Sequence, residues 1–351
     1  MKVFIWTKFV DSLYRKEGYI GGIAIQMNNW AEIFAQKGWD VFSLSTKEKR
    51  EYNKITFLRY PSVRFIGIFI EWFLSMYYIL TKRPDIIITR GASRNTLPLA
   101  LFSKVTKSKL VFFGASDSDF IIGEELINSD KNKVLYRNGL KKIKYVVAQN
   151  EKQQSLLKDN YGEKNCIIIP NIWPTGVVTK QKKDIDFLWV SNFRDLKRPE
   201  WFIKLAQENP QYKFAMIGGS TDRVLYNKCE QAAKEIPNLA FLGKKSLDET
   251  NEYFKQARCF ICTSTMEGFP NTFLQAWSNN IPVLTTFSPS KLVEKHSLGV
   301  VVTKYDEMKE ELSKILEETS YKAKQEAIKN YFESSHSPAS MYNKLIQMLS
   351  L

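Results

Sequence analysis

The stretch from Ala257 to Thr286 restricts the fold more than any other part of the chain. Cys259 to Thr263 is predicted as a short buried strand, Pro270 and Asn271 open a helix, and Ile281 to Thr285 forms the next strand. This order of strand, loop, helix and strand is typical of a parallel sheet, in which ligands bind beyond the carboxyl ends of the strands. The sequence therefore predicts an α/β fold with a ligand site in the loop before the helix.

The chemistry of this loop follows from the start of the helix. Free N–H groups and the positive end of the helix dipole attract an anion such as a diphosphate, and the amides from Gly268 to Thr272 are the candidates. Gly268 allows the backbone to approach a ligand closely. Gln275 lies four residues beyond Asn271 on the same helix face, and Glu267 precedes both in the loop. One anion site is thus predicted between two polar side chains.

These residues resemble the signature of the family 4 retaining glycosyltransferases, in which Glu-Gly-Phe-Pro is followed by a second Glu eight positions after the first. Glu267, Gly268, Phe269 and Pro270 match, and Gln275 replaces the second acid. The resemblance implies that Glu267 contacts the donor sugar and that position 275 holds the ribose. An amide still bonds a hydroxyl, though without charge. Taken alone, the four residues also fit an ordinary Gly-Pro loop.

A second loop, Ser191 to Pro199, follows the predicted strand Asp186 to Val190 and concentrates three cations, Arg194, Lys197 and Arg198. Such a cluster can neutralise a leaving diphosphate. The resemblance implies Gly-Arg here with a Lys five residues after the Arg. Lys197 fits that spacing, Asn192 stands where the Arg is expected, and Arg194 is the candidate to replace its charge. A solvated basic turn is the alternative.

Two candidate sites lie in the N-terminal half. Gly21 and Gly22 separate a first strand from a helix and form a potential phosphate cradle, and the resemblance places such a pair near donor phosphate and acceptor. The loop Gly114 to Asp119 carries Asp117 and Asp119, and the resemblance directs this region toward the donor sugar. Caps and turns are the alternative there. The two Asp lack the further ligands of a metal site. No metal and no cofactor are expected, because Lys, Arg and the helix dipole neutralise the charge of the diphosphate.

Charge is concentrated in the first half of the chain. The net charge is +14, and residues 1–171 contribute +11 of it, from 27 Lys and Arg against 16 Asp and Glu. This favours an anionic partner such as a membrane surface or nucleic acid, or reflects a generally Lys-rich composition. The helix predicted over Arg64 to Lys82 is apolar on most of its circumference, as expected of a buried core helix or of a face that docks on lipid. No nucleic-acid module appears, so nucleic acid is not the expected partner.

The alternation of strands and helices stops at residues 172–184 and then restarts. This predicts an N-terminal domain of residues 1–171, a linker, and a C-terminal domain of residues 184–335, with a last helix in 336–351 that packs on the first domain. No apolar run is long enough to span a membrane, and no signal-peptide core is present. The four scattered cysteines indicate buried thiols of a cytosolic protein. His296 and His336 both lie outside the candidate sites, so a catalytic His is not expected.

Together the resemblance implies a GT-B fold, two Rossmann-like domains facing a cleft, and retaining transfer of a sugar from a UDP- or GDP-sugar. The acceptor is expected to be a saccharide or a lipid-linked saccharide in bacterial cell-surface polysaccharide synthesis. A cytoplasmic protein, peripheral at the inner face of the plasma membrane, is expected, with an anionic membrane surface as a candidate partner. A catalytically silent nucleotide-sugar-binding or scaffold subunit is the alternative.

Overall fold

The computed structural model describes residues 1–15, 22–60, 67–174, 182–220, 223–265 and 269–351. The chain divides into two compact units, hereafter unit 1 and unit 2. Unit 1 comprises Met1–Ile172 and Pro338–Leu351, and unit 2 comprises Trp173–Ser337. Each unit is built on a largely parallel sheet, so the predicted α/β class is confirmed.

Unit 1 alternates strands and helices along the chain. Its elements are β1 Lys2–Ile5, α1 Phe9–Arg15, α2 Gly22–Gln36, β2 Asp40–Ser45, β3 Arg50–Tyr52, β4 Ile55–Arg59, α3 Gly67–Lys82, β5 Ile86–Arg90, α4 Thr96–Thr106, β6 Lys109–Phe113, α5 Asp130–Lys142, β7 Tyr145–Ala148, α6 Glu151–Tyr161 and β8 Asn165–Ile168. Among the described residues the strands form one sheet in the order β3-β4-β2-β1-β5-β6-β7-β8. All neighbours in it are parallel except β3 and β4.

Both faces of this sheet are buried, which explains its nearly continuous apolar strands. Val3 and Ile5 face the layer that contains α2, whereas Phe4 between them faces the layer that contains α3, α4 and α5. The last helix of the chain, α14 (Pro338–Leu349), belongs to unit 1. Its Leu345 lies in the same core as Val3, and Trp39 Nε1 donates to Tyr342 Oη at 2.9 Å.

A buried carboxylate fixes α1 against the sheet edge. Asp11 accepts hydrogen bonds from Ser45 Oγ at 2.7 Å, from Arg15 Nε at 2.9 Å and from Arg50 Nη2 at 2.5 Å. Burial alone would raise the pKa of Asp11, but the hydrogen bonds from these three side chains hold it below the ordinary value. The ionised carboxylate therefore stabilises the folded state.

We expect Asp11→Asn to lower the free energy of unfolding by about 1–3 kcal/mol at neutral pH, because charge-assisted hydrogen bonds to a buried carboxylate are lost. The contribution of Asp11 is fully present above the ordinary aspartate pKa of about 3.9 and is lost as the pH falls through the lower folded-state pKa. Melting temperatures of both proteins from neutral pH into acid should therefore converge. The exposed Asp40 supplies the control Asp40→Asn, and a difference that is independent of pH would contradict the assignment.

Unit 2 repeats the alternation. Its elements are β9 Ile185–Val190, α7 Pro199–Glu208, β10 Phe214–Ile217, α8 Arg223–Lys234, β11 Leu239–Gly243, α9 Leu247–Gln256, β12 Ala257–Cys262, α10 Asn271–Ser278, β13 Val283–Thr285, α11 Leu292–Lys295, β14 Gly299–Val301, α12 Tyr305–Leu316 and α13 Glu318–Ser335. Among the described residues its strands are all parallel, in the order β11-β10-β9-β12-β13-β14. The predicted strand, loop, helix and strand between Ala257 and Thr286 are β12, the loop after it, α10 and β13.

The apolar helix predicted over 64–82 is α3, with residues 61–66 outside the described part of the chain. One line of its residues, Glu71, Ser75 and Ile79, is buried against the rest of unit 1. The opposite line carries large apolar side chains that are exposed. Of the two interpretations of this helix, a buried core helix and a face that docks on lipid, the exposed line contradicts the first. In the described residues no helix is long and apolar enough to cross a membrane.

Candidate functional site

The centre of unit 2 contains a topological switch point. From β9 the chain moves outward through β10 and β11, then returns to β12 on the other side of β9. The carboxyl ends of β9 and β12 therefore border a crevice of the kind in which open α/β sheets bind ligands. The two loops singled out from the sequence, one after β9 and one after β12, both begin at this crevice.

The two loops are hydrogen-bonded to each other. Thr263 Oγ1 donates to the backbone carbonyl oxygen of Lys197 at 2.5 Å and accepts from Trp189 Nε1 at 3.0 Å. The backbone N–H of Thr265 donates to the carbonyl oxygen of Leu196 at 2.8 Å. The backbone of Lys197, in the loop after β9, thus contacts Thr263, where the loop that leads to α10 begins. The sequence did not reveal the role of Thr263, because a lone Thr after a strand carries no distinctive signal.

Arg198 reinforces this junction. Its Nε donates to the carbonyl oxygen of Thr263 at 2.7 Å, its guanidinium lies 3.9 Å from the ring centroid of Trp201, and burial lowers its pKa. Of the three cations predicted to face a diphosphate, Arg198 is thus engaged with protein groups. Arg194 is exposed and Lys197 is half-buried.

The loop after β9 is anchored by an aromatic side chain. Phe193 is buried, with ring centroids 5.2 Å from Trp189 and 5.4 Å from Phe241. Its N–H donates to the carbonyl oxygen of Gly219 in the loop after β10, at 3.0 Å. Burial of Phe193 leaves its neighbours, Asn192 and Arg194, exposed. The predicted site residues on both sides of this anchor are therefore accessible to a ligand.

The start of α10 is also fixed by packing. Pro270 is buried at the N-cap, and the Phe269 ring lies 6.3 Å from Trp277 and 5.6 Å from His336 between centroids. His336 is fully buried and lies behind the predicted loop. His336 therefore packs against Phe269 from the buried side, and the expectation that no catalytic His is present stays a prediction.

The remaining predicted residues of this loop differ in what the structure shows. Asn271 and Thr272 occupy the first turn of α10 and are half-buried, where their N–H groups precede the helical hydrogen-bond pattern. Glu267 and Gly268 lie outside the described residues. Gln275 is 4% exposed, and its Nε2 donates to Asn251 Oδ1 on α9 at 2.9 Å. A ribose contact by Gln275 therefore stays a prediction.

In unit 1 the two candidate carboxylates have different environments. Asp119 is buried and accepts backbone N–H groups from Ala92 at 3.0 Å, Ala115 at 2.6 Å and Ser116 at 3.1 Å. Burial raises its pKa despite these hydrogen bonds. Asp119 is therefore a structural group that shapes the loop after β6. Asp117 is more accessible and pairs with Lys152 Nζ at 2.7 Å, so it remains the candidate for chemistry.

Gly22 and a half-buried arginine lie at the carboxyl-end side of neighbouring strands of unit 1. Gly22 begins α2, and Gly21 lies outside the described residues. Arg90 ends β5, the strand beside β1 at the switch point of this sheet. Its Nη2 donates to Asn171 Oδ1 at 2.6 Å, burial lowers its pKa to about 10, and its Nε is buried with no partner among the described residues. Sequence analysis missed this cation, since it ends an otherwise apolar strand.

A groove of about 870 Å³ lies elsewhere on unit 2, between α7 and α8, and is lined by Trp201, Lys204, Lys228 and Tyr305, among others. It includes none of the predicted site residues. Among the described residues there is no group of three or more His, Cys, Asp or Glu side chains placed to hold a metal ion. The predicted site residues of unit 2 that the structure describes lie in the loops at the carboxyl ends of β9 and β12 and in α10.

Comparison with known proteins supports this assignment of unit 2. Residues 176–334 match the family model "Glycosyl transferases group 1". The resemblance noted from the sequence is confirmed at the level of this broad family, and membership of family 4 stays a prediction. Two uncharacterised glycosyltransferases of Methanocaldococcus jannaschii are each 22% identical, over 58% and 76% of this chain. The chain spans 56% of the first of these relatives and 76% of the second.

Solved structures support the fold. The lipopolysaccharide outer core galactosyltransferase WaaB in its apo form matches with a TM-score of 0.65 and 16% identity, covering 100% of this chain and 99% of that one. A trehalose-6-phosphate protein from E. coli bound with UDP-2-fluoro glucose matches with a TM-score of 0.67 and 11% identity over the same shares. The predicted GT-B fold is thereby confirmed.

Proposed function

Since residues 176–334 carry the match to glycosyl transferases group 1, we propose that the chain is a glycosyltransferase that takes its sugar from a nucleotide-diphosphate donor bound by unit 2. The observation that carries this proposal is the hydrogen-bonded junction at the switch point. It brings the cationic loop of Arg194 and Lys197 to the start of the loop before α10. Positive charge and helix N–H groups together suit a diphosphate.

The proposed chemistry is a group transfer with retention at the anomeric carbon. The bond between that carbon and the donor phosphate oxygen breaks, and its electron pair leaves with the nucleoside diphosphate. Lys197, assisted by Arg194, stabilises the negative charge that grows on the departing phosphate. The N–H groups at the start of α10 act in the same direction. These charges are the reason that we propose transfer without a metal ion.

Other residues have proposed roles in holding the donor and in proton transfer. Glu267 holds hydroxyls of the donor sugar, and Gln275 holds the ribose, as the family resemblance implies. An acceptor hydroxyl joins the anomeric carbon and loses its proton, and Asp117 is the candidate to assist. Its carboxylate lies 2.7 Å from Lys152 Nζ and is only partly covered by the protein.

We further propose UDP- or GDP-sugars as donors, and a saccharide or lipid-linked saccharide of a bacterial cell-surface polysaccharide as acceptor. WaaB acts on the lipopolysaccharide outer core and the E. coli neighbour binds a UDP-sugar analogue, as their names state. A cytoplasmic protein that is peripheral at the inner face of the plasma membrane is part of the same proposal. Transfer from a cytoplasmic nucleotide sugar requires that location.

A panel of nucleotide sugars should identify the donor. We expect one UDP- or GDP-sugar to raise the melting temperature, since a ligand at one hundred times its Kd stabilises the native state by about 2.7 kcal/mol. ATP and NAD are the control ligands, because they carry diphosphates without a donor sugar. Equal stabilisation by all ligands, or by none, would contradict the proposed donor site.

A specific observation favours a second candidate, a catalytically silent nucleotide-sugar-binding or scaffold subunit. Asn192 and Gln275 stand where the resemblance implies a cation and an acid, and the side-chain amide of Gln275 is directed to Asn251. Incubation of the purified chain with the donor that stabilises it decides between the two. Release of nucleoside diphosphate, by transfer or by slow hydrolysis, supports the enzyme, whereas stabilisation without any turnover supports the silent subunit.

A further inference from the structure

Helix α3 presents an exposed apolar line, here called the α3 stripe and formed by Phe69, Phe73, Tyr77 and Leu80. These side chains are exposed to 75%, 60%, 50% and 40%. The spacing of four, four and three residues places them on one face of the helix. This face is roughly opposite the buried line of Glu71, Ser75 and Ile79. The stripe extends over roughly 16 Å at 1.5 Å per residue.

The composition of α3 is unusual for a helix with a free face. Its sixteen residues, GIFIEWFLSMYYILTK, contain two charged side chains. Glu71 is buried and bound by Arg94 and Lys8, and Lys82 ends the helix. The exposed side of α3 therefore has apolar or weakly polar side chains where a surface helix in water has charged ones. Such a face marks a binding surface.

The neighbouring helix extends the apolar surface. Helix α4 packs beside α3 and exposes Leu101 to 39% and Val105 to 69%. Lys104, which lies between these two residues in the sequence, and Lys107, which follows them, are also exposed. Apolar side chains that alternate with lysines on an outer face suit a partner that is both apolar and anionic.

Cations collect at one end of this surface. Helices α3, α4 and α5 all run back toward the amino ends of the strands of unit 1, so their last residues reach the same edge of the sheet. That edge carries Lys82, Arg83, Lys104, Lys107, Lys141 and Lys142. The acid closest in sequence, Asp85, accepts from the N–H of Lys2. The apolar stripe is thus bordered by concentrated positive charge.

From this combination we propose that the outer face of α3 and α4 docks on an anionic lipid bilayer, with the α3 stripe inserted among the acyl chains and the lysines on the headgroups. A second copy of the chain fits less well, because two such faces would bring the same cations together. This inference rests on the peripheral location proposed above and names the surface that docks, but vesicle binding is measured without sugar transfer, so a failure of docking is distinguishable from a failure of the transferase. A transferase with a lipid-anchored acceptor would require it.

Flotation of the full-length protein with vesicles tests the proposal. We expect binding to phosphatidylcholine vesicles that contain phosphatidylglycerol, weaker binding without it, and further weakening as salt screens the lysines. Phe69→Ser with Phe73→Ser should lower the partition onto anionic vesicles about a hundredfold, since each buried Phe side chain contributes about tenfold or more. The matched control is Val224→Ser, which alters a side chain exposed to 81% on α8 of unit 2.

The charge arm uses Lys104→Glu with Lys107→Glu. It should abolish the preference for phosphatidylglycerol, whereas the equal charge change Lys228→Glu with Lys234→Glu, on exposed positions of α8, should leave most of it. Circular dichroism and melting temperature verify that each variant is folded. Unchanged flotation of the stripe variant, or negligible binding of the wild type, would overturn the proposal. So would a wild-type dimer that the stripe variant converts to a monomer without any vesicle binding, since a second copy would then be the occupant.

Discussion

Replacing Lys197 by alanine is expected to lower kcat for sugar transfer by about 10²- to 10³-fold, the cost of removing one preorganised group that stabilises charge in a transition state. The fold of the loop should survive, because Thr263 bonds the backbone carbonyl oxygen of Lys197 and not its side chain. The loss should appear mainly in kcat and less in the affinity for the donor, since the charge on the leaving phosphate is greatest as its bond breaks.

Steady-state kinetics with the donor found by thermal stabilisation measure this effect. Lys204→Ala is the matched control, because Lys204 lies on the next helix and packs its Nζ 4.3 Å from the ring centroid of Tyr305. Arg194→Ala should have a smaller effect than Lys197→Ala, since Arg194 is more exposed. A wild-type kcat in the Lys197 variant would contradict the proposed role of Lys197. Only the ligand-binding data would then support a donor site in unit 2.

Gly218→Ala should destabilise unit 2 by about 3 kcal/mol or more, the upper end of the cost of overpacking. A Cβ atom at this position would lie 1.8 Å from the carbonyl oxygen of Ser191, at the end of β9. A backbone oxygen cannot rotate away as a side chain can, so the loops after β9 and β10 must separate. The junction that positions Lys197 should be disturbed at the same time.

The adjacent glycine is the control. A Cβ atom on Gly219 would meet Lys244 Cδ at 3.3 Å, and that flexible side chain can move by a few tenths of an ångström. Calorimetry should therefore show one transition lowered by about 6–12 °C in Gly218→Ala, from about 2–4 °C per kcal/mol for a unit of this size, and little change in Gly219→Ala. Equal effects of the two substitutions would show that the close approach to Ser191 is not the cause.

Local patterns in the sequence predicted most of the elements of unit 2. β12, α10 and β13 follow from short apolar runs separated by Gly and Pro, and the helix was placed at its observed start, Asn271. Two helices of unit 1 were missed, for different reasons. Helix α5 is strongly polar and buries only Tyr136, Gly139 and Leu140, so its apolar period is weak. Helix α1 is short and is held by Asp11 through Ser45 and Arg50, which are distant in the chain.

The candidate site shows the same division. The cations Arg194 and Lys197 and the helix start at Asn271 were identified from residue type and spacing. Their neighbours were not. Thr263 was placed only as the last residue of a strand, and no role was assigned to Gly218. Each acquires its role from an atom in a different loop, the carbonyl oxygen of Lys197 or of Ser191.

The α/β class, the order of the elements and the two loops that carry charge and helix N–H groups could be predicted from residue order, because they depend on side-chain periodicity and on Gly and Pro a few residues apart. The tertiary structure decided which loops meet and which faces stay exposed. Sheet order sets β9 beside β12 and so brings together loops more than sixty residues apart in the chain. The apolar pattern of α3 did not show which side would be covered. The packing of Glu71, Ser75 and Ile79 against the rest of unit 1 is what leaves the α3 stripe exposed.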